Sequence, residues 1–217
     1  MAAEVSAPDR PPLRGVYVIT DRTLIPPGHL EQAVEAALRG DAALVQYRDK
    51  SNDQIRRTQE ARALAALCQR YERPLIVNDD IELAAQTGAD GVHLGADDAS
   101  IARARTTLGP KALIGVSCYD SLQRARDAAA QGADYVAFGS LFPSPTKPQA
   151  ARAPLTLLGQ AREKLDVPVC AIGGIDATNA ARVIAAGADL IAVISAVFGA
   201  EDIEAATRRL AALFPAD

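Results

Sequence analysis

From residue 14 onward the chain alternates short apolar runs with longer Ala- and Leu-rich stretches dotted with charge. Strand-length runs fall at Val16 to Thr20, Ala43 to Tyr47, Pro74 to Val77, Gly91 to His93, Leu113 to Ser117, Tyr135 to Phe138, Val169 to Ile172 and Leu190 to Val193. Several are apolar at consecutive positions, as expected of parallel strands covered on both faces. The stretches between them have the length and patterning of amphipathic helices, so the chain predicts eight strand-helix pairs. One phrase recurs at the joints: QTGADGV, AQGADYV and AAGADLI precede the fourth, sixth and eighth strands, and LRGDAALV before the second is a looser copy. In each, a helix ends on a glycine able to take the left-handed position and an apolar strand follows. Their uneven spacing marks a recurring βα joint and not a solenoid repeat.

Eight such units in about 200 residues predict a single-domain (β/α)8 TIM barrel over residues 14–217. Residues 1–13, with acids, prolines and no apolar core, read as a flexible tail that is neither a signal peptide nor a good helix. A doubly wound open sheet is the alternative, but neither GxGxxG nor a P-loop follows the first strand.

In a parallel barrel the C-terminal ends of the strands surround one mouth, so the residues just after each apolar run converge. Those positions hold Gln46, Arg48 and Lys50 after the second strand, Asn78, Asp79 and Asp80 after the third, and Asp97 and Asp98 after the fourth. Ser117 follows the fifth, and Ser144, Thr146 and Lys147 lie in the long GSLFPSPTKPQA loop after the sixth. GGID and ISA, with Gly174, Ile194 and Ser195, end the seventh and eighth. Each group also has a plain structural role open to it. Asp79 or Asp80 suits a helix N-cap, Asp97 and Asp98 suit a first helical turn, and Arg48, Asp49 and Lys50 suit a solvated charge run. His29 and His93 make no zinc motif, and His93 reads as a strand-end residue. Taken together, however, acids on neighbouring strand ends suit a shared hard cation with oxygen ligands, Mg2+ before Zn2+. Arg48, Lys50 and Lys147 are then placed to neutralise a diphosphate beside it. The last two strand ends sit where such barrels hold a further phosphate.

Composition narrows the partners. The 217 residues carry a net charge of −4, so no overall positive field exists to hold nucleic acid or an anionic membrane. No stretch approaches the roughly 20 apolar residues of a membrane span. Three widely spaced cysteines, Cys68, Cys118 and Cys170, form no CxxC pair and sit in or beside apolar segments. They read as buried free thiols in a reducing, cytoplasmic setting. The sequence leaves oligomeric state unread, with a homo-oligomer open.

VQYRDK, LIVNDD, GVHLG followed by Asp97-Asp98, IGVSC, YVAFGSLFPSPTKP, AIGGI and VISA stand in order over nearly the whole chain after residue 14. In this the chain resembles the thiamine-phosphate synthase family. The resemblance implies a (β/α)8 transferase that joins 4-amino-2-methyl-5-hydroxymethylpyrimidine diphosphate to 4-methyl-5-(2-phosphoethyl)thiazole, or its carboxylated form, giving thiamine phosphate and pyrophosphate with Mg2+. It further implies that Gln46, Arg48, Lys50 and Asn78 contact the pyrimidine and diphosphate, with Ser117 and Lys147 as further diphosphate contacts. Asp79 and Asp98 are implied as Mg2+ ligands, and Ser144, Thr146, Gly174, Ile194 and Ser195 as the thiazole-phosphate pocket. Arg48, Lys50, Ser117 and Lys147 are the residues expected to carry the chemistry. Two positions depart from the family pattern: Ala96 stands where Gln is frequent, and Ser144 where Thr is common. Related alternatives are a thiazole tautomerase, which shares the barrel but needs neither diphosphate nor metal, and a non-catalytic sensor of thiazole phosphate. The paired acids and three cations fit neither.

Overall fold

A computed structural model describes residues 13–95, 100–143 and 152–215. Eight parallel strands close into a barrel in sequence order: β1 Gly15–Ile19, β2 Ala42–Tyr47, β3 Leu75–Asn78, β4 Gly91–Leu94, β5 Leu113–Tyr119, β6 Tyr135–Phe138, β7 Val169–Ile172 and β8 Leu190–Val193. The first and last strands pair, Val16 with Ile191 and Val18 with Val193, which leaves no sheet edge. The predicted runs match these strands to within two residues. β3 extends to include Asn78, and β5 continues past Ser117 to Tyr119.

The helices are α1 Leu30–Arg39, α2 Gln54–Arg70, α3 Ile81–Thr87, α4 Ile101–Leu108, α5 Leu122–Ala130, α6 Thr156–Lys164, α7 Ala180–Ala185, α8 Ser195–Phe198 and α9 Ile203–Ala211. The eighth unit thus carries a one-turn helix ahead of its covering helix. Asp53, Asp80, Ser100, Ser121 and Asp202 each accept a backbone N–H three residues on, which starts α2, α3, α4, α5 and α9.

Two apolar layers result. The larger lies between strands and helices, with Val16, Val45, Leu64, Val92, Val136, Leu158 and Val183 among its members. The smaller fills the barrel interior, where Leu44, Ile76, Leu113, Cys170 and Leu190 pack with Tyr17 and Tyr135. Inward positions on successive strands therefore form a plug beneath the mouth.

The recurring GAD phrase has a second function beyond ending the helix. Gly88, Gly132 and Gly187 take φ of +71°, +90° and +111°. The aspartate two residues on then clamps the start of the neighbouring strand. Asp90 accepts the N–H of Leu75 at 2.8 Å, Asp134 that of Ile114 at 2.7 Å, and Asp189 that of Val169 at 2.9 Å. Each donates its own N–H to the carbonyl of the same partner residue at 2.8 Å. Arg105 adds an ion pair to Asp134 at 2.7 Å, and Arg162 pairs with Asp189. These carboxylates lock the N-terminal rim, away from the mouth.

Candidate active site

The C-terminal ends of the strands surround a cavity of about 450 Å3. Among the sequence-predicted residues, Gln46, Arg48, Asn78, Ser117, Gly174, Ile194 and Ser195 line it. Asp79 and Lys50 lie beside the lining and are tied to it. Asn78 Nδ2 donates to Asp79 Oδ2 at 2.6 Å, and Lys50 Nζ stands 4.0 Å from the same oxygen. Asp98, Ser144, Thr146 and Lys147, together with Asp97 and Ala96, lie outside the described residues.

The two adjacent acids after β3 divide their roles through backbone geometry. Asp79 takes a left-handed φ of +62° and donates its N–H to the carbonyl of His93 on β4 at 2.9 Å. Asp80 is extended, caps α3 through the N–H of Leu83 at 2.9 Å, and pairs with Arg57 at 2.8 Å. The N-cap role thus belongs to Asp80, and Asp79 stays at the rim, partly exposed.

RDK after β2 is likewise not a uniform solvated run. Arg48 donates its backbone N–H to Thr20 Oγ1 at 2.9 Å, and its guanidinium lies 3.6 Å from Asp21 Oδ2 at the end of β1. Lys50 is exposed. Asp49, with a side chain only 1% exposed, turns inward between Arg56 at 2.7 Å and Arg22 at 3.2 Å and accepts the Ser51 N–H at 2.8 Å. Burial works to raise its pKa, but the Arg56 and Ser51 hydrogen bonds outweigh it and hold the carboxyl down at about 2. Asp49 therefore anchors the loop that presents Arg48 and Lys50.

The β7 and β8 side of the mouth is built from backbone. Leu141 and Phe142 donate their N–H groups to the carbonyls of Ile172 and Gly173, each at 3.0 Å, which staples the start of the β6 loop to the end of β7. The fit leaves no room for a side chain. A Cβ on Gly174, whose φ is +61°, would stand 2.3 Å from the Pro143 carbonyl oxygen. The turn is pinned from below, where Asn179 Nδ2 donates to the Gly174 carbonyl at 2.9 Å and Asn179 Oδ1 accepts the Asp176 N–H at 3.0 Å. Asp176 itself accepts the hydroxyl and N–H of Thr178, which lower its pKa. Next to it, Ile194 ends β8 and Ser195 opens α8 on the cavity.

Sequence reasoning missed the floor. Tyr17, His93 and Tyr135 join Gln46 and Ser117 in one hydrogen-bonded chain within the barrel. A tyrosine inside an apolar run reads as core, and only the closed register reveals that two such hydroxyls meet. The three cysteines are free and buried as expected. Burial pushes the Cys68 and Cys118 thiols up to about 12, so both stay protonated; Cys170 lies at the cavity wall with its thiol likewise raised.

Among the described residues no group of three or more acids, histidines and cysteines forms a metal cage. Asp79 supplies a carboxylate at the rim of β3, next to β4; Asp98, which the sequence pairs with it, follows β4 in the sequence and lies outside the described residues. That all-oxygen donor chemistry suits a hard divalent cation. No helix among the described residues is long and apolar enough to cross a membrane.

A closed parallel barrel with a cavity of mixed polar and apolar lining at the C-terminal ends of its strands defines a (β/α)8-barrel enzyme. A family model described as thiamine monophosphate synthase matches residues 16–197. The thiamine-phosphate synthase of Thioalkalivibrio sulfidiphilus is 57% identical over 202 residues, covering 93% of this chain and 96% of that protein. That of Halorhodospira halophila is 56% identical over 200 residues, covering 92% and 94%. Among solved structures, a thiamine phosphate pyrophosphorylase from Pyrococcus furiosus superposes with a TM-score of 0.84 at 39% identity, covering 92% of this chain and 94% of that one. The chain belongs to the thiamine monophosphate synthase family, and the enzyme is a transferase.

Proposed function

We propose that this protein is a Mg2+-dependent thiamine-phosphate synthase that couples 4-amino-2-methyl-5-hydroxymethylpyrimidine diphosphate to 4-methyl-5-(2-phosphoethyl)thiazole, or its 2-carboxy form, releasing pyrophosphate. The observation that carries the reading is the convergence of Gln46, Arg48, Asn78, Ser117, Gly174, Ile194 and Ser195 on one cavity. A cationic side and a backbone-lined side of one mouth suit a diphosphate and a monophosphate held across from each other.

The leaving group departs from a carbon attached to an electron-rich aminopyrimidine, so the bond can break ahead of the new one and place negative charge on the diphosphate. Arg48, Lys50 and Lys147 supply fixed positive charge there, and Ser117 a hydrogen bond. Mg2+, held by Asp79 and Asp98, would add Lewis-acid stabilisation of the departing pyrophosphate. Asn78 orients Asp79 through its 2.6 Å hydrogen bond. The thiazole nitrogen already has a lone pair, so no general base is required. Its approach is fixed by the grip of Ser144, Thr146, Gly174, Ile194 and Ser195 on the phosphate at the far end of the molecule. Residues 14–217 form the catalytic domain in this reading, and the site of action is the cytoplasm.

Incubating the purified protein with both substrates and Mg2+ tests the assignment. Stoichiometric thiamine phosphate and pyrophosphate are expected. Neither product forming, with the protein folded, would overturn it.

A further inference from the structure

Five polar side chains from five strands form an unbroken chain beneath the mouth. Gln46 Nε2 donates to the Tyr17 hydroxyl at 2.6 Å, and the Tyr17 and Tyr135 hydroxyls are 2.9 Å apart. The Tyr135 hydroxyl lies 3.0 Å from His93 Nδ1, and His93 Nε2 lies 2.9 Å from Ser117 Oγ. Tyr17, Gln46, His93 and Ser117 line the cavity; Tyr135 is fully buried and does not. Its ring packs edge-on against Tyr17, with centroids 5.9 Å apart, and tilted against His93 at 5.6 Å.

Each hydroxyl has one proton, so each must direct it to one neighbour. Tyr17 accepts from Gln46, which leaves its own proton for Tyr135. With a neutral imidazole in the Nε2–H tautomer, Tyr135 then donates to His93 Nδ1, His93 donates from Nε2 to Ser117, and the Ser117 proton is left to the cavity. The opposite order would commit the Ser117 proton to His93 and turn only oxygen lone pairs toward an anion. It would also require Tyr17 to donate to Gln46, turning the amide so that its NH2 group faces the cavity. Burial raises the pKa of both tyrosines above the ordinary value, so each keeps the proton that this order passes on.

We propose that Tyr135 is a positioning residue that fixes the direction of donation from Gln46 to Ser117. The cavity then meets a ring amino group with an acceptor, Gln46 Oε1, and an anionic oxygen with a donor, the Ser117 hydroxyl. The inference rests on the pyrimidine diphosphate reading above and deepens it, since a site that receives an N–H through a fixed acceptor rejects an analogue lacking that group.

The test uses two inert methylenediphosphonate analogues of the pyrimidine diphosphate, with and without the 4-amino group, as inhibitors of the wild-type, Tyr135→Phe and Tyr17→Phe enzymes. Wild type is expected to prefer the amino analogue. Tyr135→Phe should cut that preference by about 10-fold or more and weaken inhibition by pyrophosphate, with KM for the thiazole phosphate unchanged. Tyr17→Phe interrupts only the Gln46 end, so it should lose the amino preference and keep pyrophosphate inhibition. It also serves as the second probe if Tyr135→Phe does not fold. A role in packing alone would lower Tm and leave the preference intact; an unchanged preference in both folded variants overturns the inference. A wild-type enzyme that forms no thiamine phosphate would instead overturn the functional reading, and this inference with it.

Discussion

The aspartates at the two ends of the barrel do opposite work. At the N-terminal rim Asp90, Asp134 and Asp189 are spent on backbone N–H groups of the adjacent strand, and the last two also on arginines. At the C-terminal rim Asp79 stands in a left-handed backbone position beside Asn78 and Lys50, at the edge of the cavity. The residue type is the same, and what surrounds each carboxylate decides its task. A carboxylate satisfied by the fold has no capacity left for a ligand, whereas Asp79, beside the Asn78 amide and with the Lys50 ammonium 4.0 Å away, sits at the rim where a cation can be met.

The contrast sharpens when one rim is altered at a time. Lys147→Ala should have the largest effect, lowering turnover at saturating substrate by about 10²- to 10³-fold with Tm unchanged. Steady-state kinetics would check it, and a rate near wild type would remove Lys147 from the chemistry. Asp79→Asn comes next. It should raise the Mg2+ concentration for half-maximal rate by roughly 10-fold or more, and an unaltered metal titration would take Asp79 out of the metal site.

At the opposite rim Asp134→Ala should do the reverse. The N–H of Ile114 loses its side-chain acceptor and the Arg105 guanidinium its carboxylate, keeping only backbone carbonyls, so denaturant unfolding should report a loss of about 1–3 kcal/mol while kcat of the folded fraction holds. A fall in kcat without loss of stability would break the division between the two ends.

The smallest effect belongs to Asp49, the structural acid that lies at the functional end. Its carboxyl is depressed to about 2 in the folded protein against 3.8 for a free aspartate. A depressed carboxylate stabilises the fold above its unfolded pKa, and that contribution is lost as pH falls through the folded value. Wild type should therefore lose on the order of 1–2 kcal/mol between about pH 4 and pH 2 that Asp49→Asn does not. Urea midpoints measured across that range would show the two curves converging toward acid pH.

The same contrast explains what the sequence made legible. The barrel was readable because its strands are nearly continuous apolar runs and its joints repeat a glycine in a fixed setting. The mouth was readable because polar residues directly after an apolar run have one place to converge. The clamping role of the GAD aspartate was not, since its partner is a backbone N–H on the preceding strand, brought near only by register. Nor was the split between Asp79 and Asp80, which turns on a change of φ from +62° to −101° between neighbouring identical side chains. Asp49 looked solvated because its flanking residues, Arg48 and Lys50, carry charge; its burial depends on Arg22 and Arg56 arriving from elsewhere. The chain of hydroxyls through Tyr17 and Tyr135 was hidden for a similar reason, because each tyrosine alone has the signature of core.

In the proposed function, Asp79 and Asp98 hold a divalent cation against the diphosphate. Replacing Mg2+ by Mn2+ and measuring its magnetic coupling to the phosphorus nuclei of added pyrophosphate tests it directly. Clear 31P coupling is expected in the wild-type enzyme, and its loss when Asp79→Asn and Asp98→Asn are combined. Coupling of the same strength in the doubly substituted protein would contradict it.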